Sequence, residues 1–301
     1  PDSQRPAARD NALVNQPQPV CDARRSVVLL GLATVIAQAL LLREAMAAMG
    51  GSELAWGVVM ALWLAGVAAG ARGGASFGSA GAARWMPTAV MVLAAAGVVV
   101  LRAAPALAGV APGEALTTTS AMWVWLAAIV PAAAAGGLAF PILAAELGAA
   151  GGGRAYALEA AGALVGGLGL AVALAFVGTA ACLSVATGVL VALEVRRRRP
   201  AAAALTAAAA LLLAVPAGDW LAEAGWRWSD RPGELRAWRE TRHQQLAVAD
   251  GSPAALYADG RLVAVLPDPY RSSLRAHLLA LLHPAPSRVL LVGAVPGDLD
   301  R

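Results

Sequence analysis

Long apolar runs dominate positions 26–217, a tryptophan-rich stretch covers 218–239, and from about Glu240 apolar and polar positions alternate. A membrane-crossing helix needs about 20 predominantly apolar residues, with about 17–25 tolerated. Seven runs fit that length: 26–47, 53–72, 86–108, 121–145, 156–177, 179–195 and 201–217. The last two are short, and only a Gly-Thr turn separates the fifth from the sixth, so a six-helix reading that merges or demotes one run stays open. Residues 1–25 are polar, rich in Pro, Gln, Asn, Asp and Arg, and are expected to be disordered. They do not read as a signal peptide, because the apolar stretch after Arg24 and Arg25 is helix-length and no clear cleavage site follows it.

Beyond the apolar region the period changes. HQQLAVADG and ALYADGRLVAVLPD alternate and carry Asp250-Gly251 and Asp259-Gly260, the signals of a β-hairpin or small meander. In YRSSLRAHLLALLHP, Leu274, Leu278 and Leu281 fall at helical spacing, which predicts a short amphipathic helix ending before Pro284. Arg288 to Val292 then read as a strand, and the turn at Gly293 is the usual opening of a nucleotide-binding α/β domain. The fold class expected is therefore mainly α: a polytopic bundle of about seven membrane helices, a small β-hairpin or meander, and the start of a Rossmann-like domain over 240–301.

Composition strengthens the membrane assignment. Hydrophobic residues make up 59% of the chain and charged residues 14%, against about 45–50% and about 25% in soluble domains. The basic residues are all arginine, and the net charge of +4 is poor grounds for a nucleic-acid partner. Membrane topology explains the run Arg196–Arg199 better. Cys21 and Cys182 have no metal or redox spacing, and His243, His277 and His283 all follow the apolar region, which excludes histidine-ligated haem within the membrane.

With the N-terminus inside, the inner face collects Arg24, Arg25, Arg72, Arg84, Arg154 and Arg196–Arg199, while Arg43 and Arg102 stay outside near helix ends. In a bacterial inner membrane, seven helices put the C-terminal segment in the periplasm and six leave it in the cytoplasm. Trp56, Trp85, Trp123 and Trp125 fall at expected helix ends, where amphipathic rings favour the headgroup layer. Trp220, Trp226, Trp228 and Trp238 crowd 218–239, which reads as a segment lying on the membrane, or else as a linker packing its rings on the following domain. Gly66 and Gly70, and Gly162 and Gly166, have the spacing of close helix contacts, for which generic packing suffices in so Ala- and Gly-rich a chain.

Charge inside the membrane is costly. Arg43, Glu44 and Glu53 flank the first hairpin on the outer side, and Glu146, Arg154 and Glu159 flank the fourth and fifth helices on the inner side. One reading is a substrate or proton path through a small transporter-like bundle. The favoured reading is that groups so near the interfaces pair locally and fix the bundle.

The order ETxxQ, strands, LYxDGRL, DxYR, helix and HPxPxRVLLVG resembles the start of the spermidine synthase, or polyamine aminopropyltransferase, fold. The matching residues are Glu240, Thr241, Gln244, Leu256, Tyr257, Asp259, Gly260, Arg261, Leu262, Asp268, Tyr270, Arg271, His283, Pro284 and Arg288 to Gly293. The stretches LLLREAMAAMGGSELAWGVVMALWLAGVAAG and AYALEAAGALVGGLGL also resemble the multi-helix region fused to such domains in bacteria, so the likeness runs from about residue 26 onward.

The resemblance implies aminopropyl transfer from decarboxylated S-adenosylmethionine to a polyamine, with Gln244 or Gln245 at the cofactor-side entrance and Gly293, Gly297 and Asp298 in the glycine-rich loop. It also shows departures. Ser272, Ser273 and Leu274 stand where a Tyr-His-Glu is usual, and Val295 and Pro296 interrupt the loop. Pro296 removes a backbone N–H of the kind that cradles an anionic ligand. The family's ribose-binding acid and catalytic Asp are expected beyond Arg301. The chain as it stands is therefore expected not to catalyse the transfer. The alternatives are a non-catalytic membrane subunit docking in a larger complex, or a small transporter.

Overall fold

The computed structural model describes residues 18–48, 53–77, 80–110, 116–149, 151–196, 199–241 and 243–268, with isolated positions from 270 to 281. The described residues are mainly helical, with one small antiparallel sheet among them. The long helices among the described residues are α1 (Gln18–Ala48), α2 (Glu53–Phe77), α3 (Met86–Arg102), α4 (Thr118–Glu146), α5 (Gly151–Ala173), α6 (Thr179–Val195) and α7 (Pro200–Trp228). Five of them are long and apolar enough to cross a membrane; α3 and α6, at 17 residues each, are shorter.

Helix boundaries shift by several residues from the sequence expectation, and three of the shifts change the architecture. First, α1 begins at Gln18, so 18–25 is helix rather than disordered chain. Pro19 lies in its first turn, where a missing N–H costs nothing, and Arg25 donates from Nη2 to the Leu193 carbonyl at 2.5 Å. Second, α3 stops at Arg102 instead of running to 108, and only a turn at Ala104–Leu107, with Pro105 inside it, follows.

Third, α7 continues through Pro216 and absorbs 218–228, the first half of the expected linker. The polar residues of this stretch form one side of an amphipathic helix end. Asp219, Glu223 and Arg227 recur every fourth residue and are exposed, while Leu221, Ala222 and Trp226 are buried.

Helix α1 is the hub and touches each of α2 to α6. The glycine spacings are used for close approach. A Cβ on Gly70 or Gly74 would strike the carbonyls of Ala134 or Leu138 on α4. One on Gly162 would strike the Val28 carbonyl on α1. Both pairs run parallel, so a small residue each turn keeps two backbones in contact. Outside this core lies an apolar belt: Leu164, Val165, Leu168 and Val172 on α5, and Leu205, Leu211, Leu212 and Val215 on α7, are all exposed. Contiguous apolar surface of this kind marks a membrane or partner face rather than a soluble monomer's exterior. Trp56, Trp85, Trp123 and Trp220 are exposed near helix ends, whereas Trp125 is buried inside the bundle and cannot anchor at an interface.

The sheet is a meander, β1 (Leu235–Glu240), β2 (Gln245–Ala249), β3 (Ala254–Ala258) and β4 (Arg261–Leu266), antiparallel and in sequence order. Ala258 pairs with Arg261, so Asp259 and Gly260 alone close the β3–β4 turn, at φ 46° and 76°. Positive φ at both positions is the geometry that Asp-Gly favours. Asp250-Gly251 instead opens a longer loop that ends at Pro253 before β3. Trp226 of α7 packs edge-on to Tyr257 of β3 at 5.2 Å, and its Nε1 donates to the Gly233 carbonyl at 3.0 Å. The tail of α7 is thus part of the sheet's own core, with Ala247 and Ala249. The described positions between 270 and 281 are helical, with Leu274, Leu278 and Leu281 exposed. The expected strand over Arg288 to Val292 lies outside the described residues.

Candidate functional site: a clamped cleft between bundle and sheet

Alternation of helix direction sorts the charges to two ends. At one end Arg84, between α2 and α3, reaches Asp22 of α1 and Glu146 of α4, each at 3.7 Å. At the other end the last turns of α1 and α3 and the first turn of α6 meet the sheet. Arg102, the last residue of α3, is the centre of that meeting. Its Nε donates to Glu44 Oε2 at 2.7 Å and its Nη2 to Glu44 Oε1 at 2.9 Å, a two-pronged grip that only a guanidinium makes. Nη2 also donates to Glu240 Oε1 at 2.5 Å. The side chains of Arg102 and Glu44 are 6% and 2% exposed, so neither charge could stand alone. The guanidinium lies 5.1 Å from the Trp238 ring centre.

The sheet side of this clamp is the ETRHQQ stretch. Glu240, which ends β1, also accepts through Oε2 from the Thr179 amide at 2.7 Å, at the N-terminus of α6 where a negative charge is favoured. Gln245, which opens β2, donates from Nε2 to Glu44 Oε1 at 3.0 Å. Arg43 donates from Nη2 to the Thr241 carbonyl. Thr241 Oγ1 accepts from the His243 and Gln244 amides, which fixes the turn between the two strands. The β1–β2 turn is therefore plugged into the bundle end by α1, α3 and α6 together.

Burial raises the Glu240 carboxyl, but Arg102, the Thr179 amide and Arg43 outweigh it and hold the group below its ordinary value of 4.5. A depressed carboxylate stabilises the fold above its unfolded pKa, and that contribution disappears as pH falls through the lower folded pKa. Denaturant unfolding in detergent should therefore show a loss of stability below about pH 4.5, and Glu240→Gln should remove much of that slope. A slope unchanged in the variant would rule Glu240 out as its source.

Beside the clamp lies a cavity of about 740 Å³, within the range of about 300–1,000 Å³ usual for small-molecule sites. Leu101, Pro105, Val110 and Leu116 supply apolar lining; Glu44, Arg102, Arg231, Gln245 and Asp259 supply polar groups; Trp226, Trp238 and Tyr257 supply rings. Arg231 lies over Trp226 and Tyr257, at 5.2 and 5.6 Å from their ring centres. Burial lowers its pKa from the ordinary arginine value, with Tyr257 opposing the shift.

The residues singled out by sequence separate into several places. Arg43 and Glu44 join the clamp, but Glu53 is exposed at the start of α2. Glu146 pairs with Arg84 rather than with Arg154, which is exposed on α5, or Glu159, which is half-buried there. Gln244 is exposed in the turn, and its neighbour Gln245 is the glutamine that reaches the cavity. Gly293, Gly297 and Asp298, and with them the loop expected to bind decarboxylated S-adenosylmethionine, lie outside the described residues. Among the described residues no group of His, Cys, Asp and Glu is placed to hold a metal ion.

Arg102 and Arg231 are the cations of the clamp and cleft that the sequence did not place there. Arg102 had a weak signal: an arginine ending an apolar run either reaches water or pairs with a neighbouring group. Arg231 had none, because its ring partners come from α7 and β3. No family model, curated protein or solved structure matches the chain.

Proposed function

We propose that this chain is a multi-pass protein of a bacterial inner membrane, of the membrane-fused spermidine synthase kind. Its bundle holds the first sheet of an aminopropyltransferase-like domain, and its cleft binds a ligand without catalysing transfer. The observation that carries the reading is the ETRHQQ turn, the stretch most like the family, clamped by Arg43 and Arg102 to the bundle end beside a ligand-sized cavity. The apolar belt on α5 and α7 and the exposed tryptophans near helix ends support membrane insertion. At 17 residues, α3 and α6 would cross at the short limit, about 25 Å. Arg24, Arg25, Arg72, Arg84 and Arg154 sit at the end opposite the sheet, which supports a cytoplasmic N-terminus and a periplasmic sheet.

Aminopropyl transfer needs a base with a free lone pair facing the attacking amine. Glu44, which lines the cleft, is not free for that role, because Arg102 and Gln245 hold both of its oxygens. The same pairing supports a bundle-fixing role for Glu44 and Glu146 over a transport path. The partners are then the bilayer and the subunits of a larger membrane complex. Decarboxylated S-adenosylmethionine remains the cofactor the resemblance implies. Incubated with it and putrescine, the purified chain is expected to form no spermidine above a protein-free control. Protein-dependent spermidine formation would contradict the non-catalytic reading.

A further inference from the structure

The cleft's cations and anions are not equally satisfied. Glu44 accepts three hydrogen bonds, and Asp259 Oδ1 accepts the Gln245 amide. Arg231 is different. It is half-buried, lies over the Trp226 and Tyr257 rings, and among the described residues its guanidinium donates no hydrogen bond and meets no carboxylate. A half-buried guanidinium that faces a cavity and meets no partner among the described residues is open to an anion. A cationic ligand has less to recommend it, since Trp226, Trp238 and Tyr257 already carry arginines. The apolar lining comes from the end of α3 and the segment after it. The cavity sits where α1, α3 and α7 end, so a spanning bundle would place it at headgroup depth.

We propose that the cleft binds an anionic amphiphile, with a phosphate or carboxylate head paired to Arg231 and an apolar body against Leu101, Pro105, Val110 and Leu116. The proposal rests on reading the cleft as the ligand site of a membrane protein. It gives that site a ligand of opposite charge to a polyamine. A bilayer lipid and a soluble organic phosphate share this chemistry.

Calorimetry on the intact chain in a neutral detergent tests it, with hexyl phosphate, inorganic phosphate and hexylammonium as probes. Hexyl phosphate should bind saturably and tighter than either of the others, and Arg231→Gln should weaken it by about tenfold or more, the scale of a lost charged hydrogen bond. Equal affinity in Arg231→Gln, inorganic phosphate binding as tightly as hexyl phosphate, or hexylammonium binding tightest would each overturn it. Should the variant not fold, the ranking of the three probes on the unaltered chain still decides. Repeating the titration in nanodiscs of phosphatidylcholine with and without phosphatidylglycerol separates the sources. Weaker apparent binding in the anionic lipid identifies a lipid ligand, and unchanged binding identifies a soluble one. Spermidine formation would sink the non-catalytic reading and leave the probe ranking intact, so the two failures are distinguishable.

Discussion

Arg102→Ala is expected to destabilise the folded chain by about 3–5 kcal/mol, the usual scale for removing one partner from a buried ion pair. The substitution leaves Glu44 and Glu240 buried with no guanidinium between them, and it also removes the cation from the Trp238 face. Much of the loss is the cost of the stranded carboxylates, not the net worth of the clamp. Adding Glu240→Gln to Arg102→Ala should therefore restore part of it, because one unpaired charge is gone. Arg102→Lys should recover little, since an ammonium cannot make the two-pronged contact with Glu44 while also reaching Glu240. Denaturant unfolding of the detergent-solubilised chain measures all three. A loss under about 1 kcal/mol for Arg102→Ala would mean that the cluster is water-screened like a surface pair.

Gly70→Val carries the second large effect. Its added Cβ would meet the Ala134 carbonyl, so α2 and α4 must separate or shift in register. Overpacking of this kind costs about 1–3 kcal/mol, occasionally more. Gly73→Val, on the same helix but facing open space, should change stability little. Thermal unfolding of the pair reports the contrast, and equal losses would point to helix propensity rather than to contact.

Much of the fold was legible because its signals are local. Helix length and apolarity located the bundle, and alternation with Asp-Gly located the sheet. The misses share a different cause. The end of α7 reads as an interfacial segment or linker because of its crowded tryptophans, but Asp219, Glu223 and Arg227, spaced by four, form one solvent face of a continuing helix. Residues 18–25 looked disordered by composition, yet Arg25 is held by the Leu193 carbonyl, 168 residues away in sequence. Arg43 and Glu44 were recognisable as costly charges. That they would meet Arg102, Glu240 and Gln245 was not, since those partners lie on three other elements. Likewise, Gln244 and Gln245 were equivalent on paper, and strand register alone turns Gln245 toward the bundle.

Sidedness is tested most directly by thiol labelling in intact cells. With Cys21 and Cys182 replaced, Ser252→Cys in the exposed β2–β3 loop and Gly81→Cys between α2 and α3 lie at opposite ends of the bundle. A membrane-impermeant maleimide should label Ser252→Cys in intact cells and Gly81→Cys only after permeabilisation. Labelling of both from the same side would contradict a bundle that crosses the membrane and carries its clamped sheet on the far face.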